Sequence, residues 1–88
     1  MNDKIQLDTN FDIFTEEALD QLEDAGIANV SGNQVFYYDV DNSVYRYCAS
    51  TNNVHIAVCR VLASVDEEFL EGIVDTDSFC FSDVREVA

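Results

Sequence analysis

The chain has 88 residues, 18 of them Asp or Glu against 4 Lys and Arg, for a formal net charge of −14 at pH 7. Hydrophobic residues make up 48%, enough for one modest core, so a single domain is expected and a disordered acidic tail is excluded. That much negative charge repels nucleic acid and anionic membrane, gives folding nothing, and points to a basic partner.

Cys48, Cys59 and Cys80 are odd in number and form no CxxC pair, the pattern of reduced, mostly buried thiols. No apolar run approaches the roughly 18 residues of a membrane span, and Met1-Asn-Asp-Lys4 does not open like a secretory leader. A soluble cytoplasmic protein is the expectation.

In chain order, Ile5 and Leu7 alternate within an N-terminal arm or small edge strand. Thr9 or Asp12 can cap a helix in which Phe11, Phe14, Ala18, Leu22 and Ala25 recur at spacings of three and four. Glu16, Asp20, Glu23 and Asp24 fall opposite that stripe, with Asp12 and Glu17 at its margins, and Gly26 is a left-handed stop. The turn Ser31-Gly32-Asn33 leads to strands Val35–Val40 and Ser43–Ala49, joined by Asp41-Asn42, two residue types that tolerate positive φ. This turn sets Phe36 opposite Tyr47 and Tyr38 opposite Tyr45.

The β-branched density of Val54 to Leu62 reads as a third strand, reached through a loop at Ser50 to Asn53. Ile56 then faces Tyr47 and Val58 faces Tyr45. Val54, Val58, Val61 and Leu62 also fit a helical stripe, so a helix from Asn53 stays open. In the strand reading Phe36, Tyr38, Tyr45, Tyr47, Ile56 and Val58 form a core face under the helices. The other face, with Val35, Tyr37, Arg46, Cys48, His55, Ala57 and Cys59, is mixed.

Ser64-Val-Asp-Glu67 fits a capping box that opens a second helix. Its inward residues are Val65, Phe69, Leu70, Ile73 and Val74; Glu67, Glu68, Glu71 and Asp75 stripe the outside. Asp75-Thr-Asp77-Ser78 is a polar turn before a last short strand at Phe79-Cys-Phe81. The order α-β-β-β-α-β describes an α+β domain: a three- to four-stranded antiparallel sheet with two helices on one face.

Metal and catalytic motifs fail on their chemistry. Asp39-Val-Asp41-Asn42-Ser43 begins like a calcium loop, yet Val44 stands where the tight turn needs Gly and Ser50 where a bidentate Glu is needed. Cys48, His55, Cys59 and Cys80 lack the short paired spacing of zinc modules. A nucleophile would depend on His55, the single histidine, and surrounding acid raises a thiol's pKa. Gly26, Gly32 and Gly72 are isolated, so there is no phosphate loop. No metal, cofactor or enzymatic activity is expected. Tyr37 beside Arg46 is the one candidate interface anchor among the aromatics.

The acids carry the functional signal. Glu16–Asp20, Glu67–Glu71 and Glu71–Asp75 repeat like charge four residues apart, which costs a helix roughly 0.2–0.5 kcal/mol per pair. Almost no Lys or Arg relieves them, whereas an ordinary solvated face mixes signs. Carboxylates in rows resemble the phosphate rows of a nucleic acid, about 3.4 Å apart per strand, which basic grooves are built to meet. With the clusters Glu16-Glu17…Asp20…Glu23-Asp24 and Asp66-Glu67-Glu68…Glu71, the chain resembles the small acidic inhibitors of phages and mobile elements, the anti-CRISPR and DNA-mimic proteins. The resemblance lies in the character of the whole chain: short, single-domain, α+β and strongly acidic.

What the resemblance implies is a non-enzymatic inhibitor of a basic nucleic-acid-binding protein or complex, such as a CRISPR effector or nuclease, with no direct nucleic-acid or membrane contact. Glu16, Glu17, Asp20, Glu23, Asp24, Asp66, Glu67, Glu68, Glu71, Asp75 and Asp77 are the candidate partner-binding residues. The alternatives are an immunity protein or antitoxin against a basic nuclease, and a halophilic domain whose acid serves solubility.

Overall fold

The computed structural model describes residues 16–75 and Val84. The expected arm at Ile5 and Leu7, the first cap, Phe11, Phe14, Asp77, Cys80 and the strand at 79–81 lie outside them. The elements are α1 (Glu16–Asp24), β1 (Ala28–Ser31), β2 (Gln34–Asp39), β3 (Val44–Ser50), α2 (Val54–Ser64) and α3 (Glu67–Ile73). The strands make one antiparallel sheet in the order β1-β2-β3, so this is a small α+β domain.

Gly26 stops α1 as its sequence position demands. Its φ of 81° is in the left-handed region; its N–H donates to Glu23 O, and the Ile27 N–H reaches back to Leu22 O, each at 3.0 Å. Leu22 and Ile27, brought together by that loop, are both fully buried. Ile27 thus hands the chain to β1, a strand the hydrophobic pattern did not announce because only Ala28 and Val30 in it are apolar. Gly32-Asn33 then closes the β1–β2 hairpin, with positive φ at Gly32 (60°) and not at Asn33, the arrangement of a type II′ turn.

Across β2 and β3 the register is the expected one: Phe36 pairs with Tyr47 and Tyr38 with Tyr45. The loop is longer than two residues, however. Pairing ends at Asp39 and Val44, and Ser43, at φ 55°, takes the left-handed position expected at Asp41 or Asn42. At the other end Val35 pairs with Ala49, which leaves Cys48 as the extra residue of a β-bulge. The bulge sets small Ala49, 3% exposed, opposite Val35 beneath α2.

Val54–Leu62 is helix, not strand, so Ile56 and Val58 face no tyrosine across a ladder. Asn53 decides it locally: its side-chain oxygen accepts the Ile56 N–H at 3.2 Å, an N-cap that starts α2. The spacing of the apolar residues does the rest, since Ala57, Val58, Cys59, Val61 and Leu62 fill one buried stripe. β-branched density was the weaker signal. The count of three strands survives because β1 takes the place of the lost one.

The helix in that position also reverses the faces of the sheet. The residues packed under the helices are Ala28, Val35 and Ala49, with Val30, Tyr37 and Cys48 partly buried beside them. Phe36, Tyr38, Tyr45 and Tyr47 lie on the opposite face, where Tyr45 and Tyr47 are 43% and 57% exposed. α2 packs across β3 and β2, and α1 lies against β1 and α2. Leu70, Val74 and Val84 complete the core. A buried leucine or valine in such a cluster contributes about 1.5–3 kcal/mol, the main term holding the domain together.

Candidate functional site

The described acids divide by whether the fold uses them. Asp66 does: its side chain accepts the N–H of Glu68 at 2.9 Å and of Phe69 at 3.3 Å, capping α3. The expected capping box on Ser64 is therefore replaced. Ser64 is the last residue of α2, and Asp66 sits one position before Glu67, where a short carboxylate reaches two free N–H groups and also complements the helix dipole. Glu23 is also used: the Val30 N–H donates to its Oε2 at 3.2 Å, tying α1 to β1. It is half-buried, not part of an outward row.

Asp39, absent from the expected site, is likewise structural. The Asn42 amide donates to it at 2.8 Å and the Arg46 guanidinium pairs with it, and these bonds, that of Asn42 first, hold its carboxyl below the usual carboxylate range. Glu67 and Asp75 have interactions of their own within the chain.

Asp20, Asp24 and Glu71 are different. They are exposed, and among the described residues they accept no hydrogen bond and meet no cation. Asp24 lies in the last turn of α1, where the dipole disfavours negative charge and no basic residue compensates. Glu16, Glu17 and Glu68 are exposed in first turns, where the dipole favours them, and likewise meet no cation among the described residues. The Lys and Arg residues of the described region are Arg46 and Arg60, and Arg46 is held by Asp39.

Two clefts gather some of these acids. One of about 250 Å³ is lined by Glu16, Leu19, Asp20, Glu23, Val30, Thr51 and Val54: carboxylates above an apolar floor. Another, about 230 Å³, brings Asp66 beside Asp39 and Asp41 at the β2–β3 turn, with Tyr37, Tyr38, Val40 and Ser64. The α1 and α3 acids share neither cleft. Asp41 enters the sequence reading only as a turn residue and as part of the rejected calcium loop; its proximity to Asp66 depends on how α2 returns the chain.

His55 lies one turn from Cys59 on α2, with Nε2 and Sγ 4.0 Å apart, instead of facing Cys48 across a ladder. Burial pushes the Cys59 thiol up to about 11, opposite to the depression that activates a nucleophile. Burial also raises Cys48, against a Ser64 hydrogen bond and the charge of Arg60. Among the described residues no group of three or more His, Cys, Asp and Glu is placed to hold a metal ion, and no helix is long and apolar enough to cross a membrane.

Among the aromatics, Tyr37 does pair with Arg46, but it packs against the core. The exposed rings are Tyr45 and Tyr47, assigned to the core when residues 54–62 are taken as a strand. Comparison with family models, with curated proteins and with solved structures gives no significant match.

Proposed function

We propose that this protein is a non-enzymatic inhibitor whose acidic helix faces bind the basic, nucleic-acid-handling surface of another protein, in the manner of an anti-CRISPR or DNA-mimic protein in the cytoplasm of an infected cell. The observation that carries the reading is the set of exposed carboxylates that meet no cation among the described residues: Asp20, Asp24 and Glu71, joined by Glu16, Glu17 and Glu68. Each like-charged pair of that set, such as Glu16–Asp20, costs a few tenths of a kcal/mol. At Asp20, Asp24 and Glu71, which lie outside the first turns that the dipole favours, that cost is accounted for by a partner whose Lys and Arg residues repay it. Such a surface attracts a basic groove over long range and competes there with phosphate rows.

The test is a pull-down from bacterial lysate at low and raised salt, with mass spectrometry, followed by charge reversal. The variant Asp20→Lys, Asp24→Lys, Glu68→Lys, Glu71→Lys leaves Asp66, Glu23 and Asp39 in place, so the fold should persist. Its association with the captured target should slow by about tenfold or more at low salt. Unchanged association of that variant removes these faces from the contact. A parent that retains nothing and unfolds at low salt is a halophilic domain instead.

A further inference from the structure

We infer that the open face of the sheet, centred on Tyr45 and Tyr47, is the stacking core of the partner contact and takes arginine side chains of a basic protein. This inference rests on the acidic-surface reading above and names the chemistry of its partner. The large hydrophobic residues most exposed in the described region are Val44, Tyr45 and Tyr47, all from β3. Tyr45 and Tyr47 share the face on which Phe36 and Tyr38 lie half-buried.

These rings are held, although they face solvent. The Tyr45 hydroxyl donates to Gly26 O at 2.9 Å, and its ring lies 5.2 Å from that of Tyr38. Tyr47 meets Phe36 edge-on, with centroids 6.0 Å apart and planes at 83°. A ring fixed in advance loses little entropy when a partner covers it, and exposed, pre-organised tyrosines are where interfaces concentrate binding energy. Tyr38 in turn touches Phe69, centroids 5.9 Å apart, which joins the face to α3 and its exposed Glu68 and Glu71.

Charge selects the occupant. Aromatic sheet faces also stack the bases of single-stranded nucleic acid, but such platforms work beside a positive groove, and this chain carries a formal −14. The same charge opposes pairing of two copies through this face. Arginine suits both components of the surface: its guanidinium plane stacks on tyrosine while its charge meets the carboxylates.

The full chain is titrated at low salt with a decaarginine and with a decalysine peptide, for the parent, Tyr47→Ala, Tyr47→Leu and the fourfold acid-to-Lys variant. Tyr47→Leu keeps much of the apolar area while removing the π face and the hydroxyl; thermal unfolding confirms that each variant is folded. The parent should prefer decaarginine by about 3-fold. Both Tyr47 variants should lose that preference and keep decalysine affinity, whereas the acid reversal weakens both peptides together. An undiminished preference in both Tyr47 variants overturns the inference. So does parent binding to an oligothymidine, or a dimer that Tyr47→Ala dissolves. If the peptides bind the parent equally and acid reversal abolishes both, the acidic-surface reading stands and the aromatic contact falls. If neither peptide binds the parent, both fall.

Discussion

The two faces of this sheet are both apolar, yet they do opposite things. Under the helices lie Ala28, Val35 and Ala49, small residues that let α2 approach the strands closely, flanked by half-buried Val30, Tyr37 and Cys48. On the open side lie four large rings, Phe36, Tyr38, Tyr45 and Tyr47, with Tyr45 and Tyr47 exposed. Side-chain size therefore does not decide which face is the core. Shape does, together with the end of the ring that must stay wet: the Tyr45 hydroxyl finds Gly26 O on the open side, and Tyr37, the tyrosine of the covered face, stays half-buried where it lines the cleft beside Asp39 and Asp66.

The contrast breaks most sharply by substitution. Leu62→Ala, in the buried stripe of α2, should cost about 2–5 kcal/mol in denaturant unfolding. Tyr47→Ala, a larger deletion on the open face, should cost only about 1 kcal/mol, the worth of its edge-on pair with Phe36. Equal losses would mean that the open face is a second core.

A pH titration sharpens the same contrast from within α2. Folded Cys59 keeps its proton to about pH 11, while its ordinary value is 9.0, so between them the unfolded chain binds fewer protons. The contribution of this thiol to stability is thus complete below pH 9 and is lost as pH rises toward 11. Cys59→Ala should show a shallower fall over that window than the parent; an identical slope would show that the thiol is not buried.

The smaller effects separate used from unused acid. Asp66→Ala removes a cap and should destabilise by about 0.5–2 kcal/mol. Asp24→Ala removes a charge that meets no cation among the described residues, at the wrong end of a dipole, and should be neutral or stabilising by a few tenths of a kcal/mol. Matching losses would place Asp24 among the structural acids with Asp66 and Glu23.

Much of this was legible in the chain. The Gly26 stop, the β2–β3 register and the exposure of Glu16, Glu17, Asp20, Asp24, Glu67, Glu68 and Glu71 follow from local chemistry, and local chemistry is what a sequence carries. β1 was hidden because four residues with two apolar positions make no periodic signal, and its pairing depends on the Gly32 turn. Val54–Leu62 satisfies a strand by composition and a helix by spacing; Asn53 is the residue that separates them, through one hydrogen bond. That single choice propagated, turning the aromatic face from core to surface. In the acidic surface, the sequence displayed the charges but not which of them cap, clamp or tie, since Glu23 is recruited by a β1 that was not foreseen.

The most direct measurement is competition. The purified chain is added to a basic target recovered in the pull-down, bound beforehand to its duplex DNA or RNA, and displaced nucleic acid is followed at low salt. Displacement that saturates with one chain per site, and that the fourfold acid-to-Lys variant cannot produce, is what a mimic of phosphate rows predicts. A stable ternary complex of chain, target and nucleic acid would contradict it.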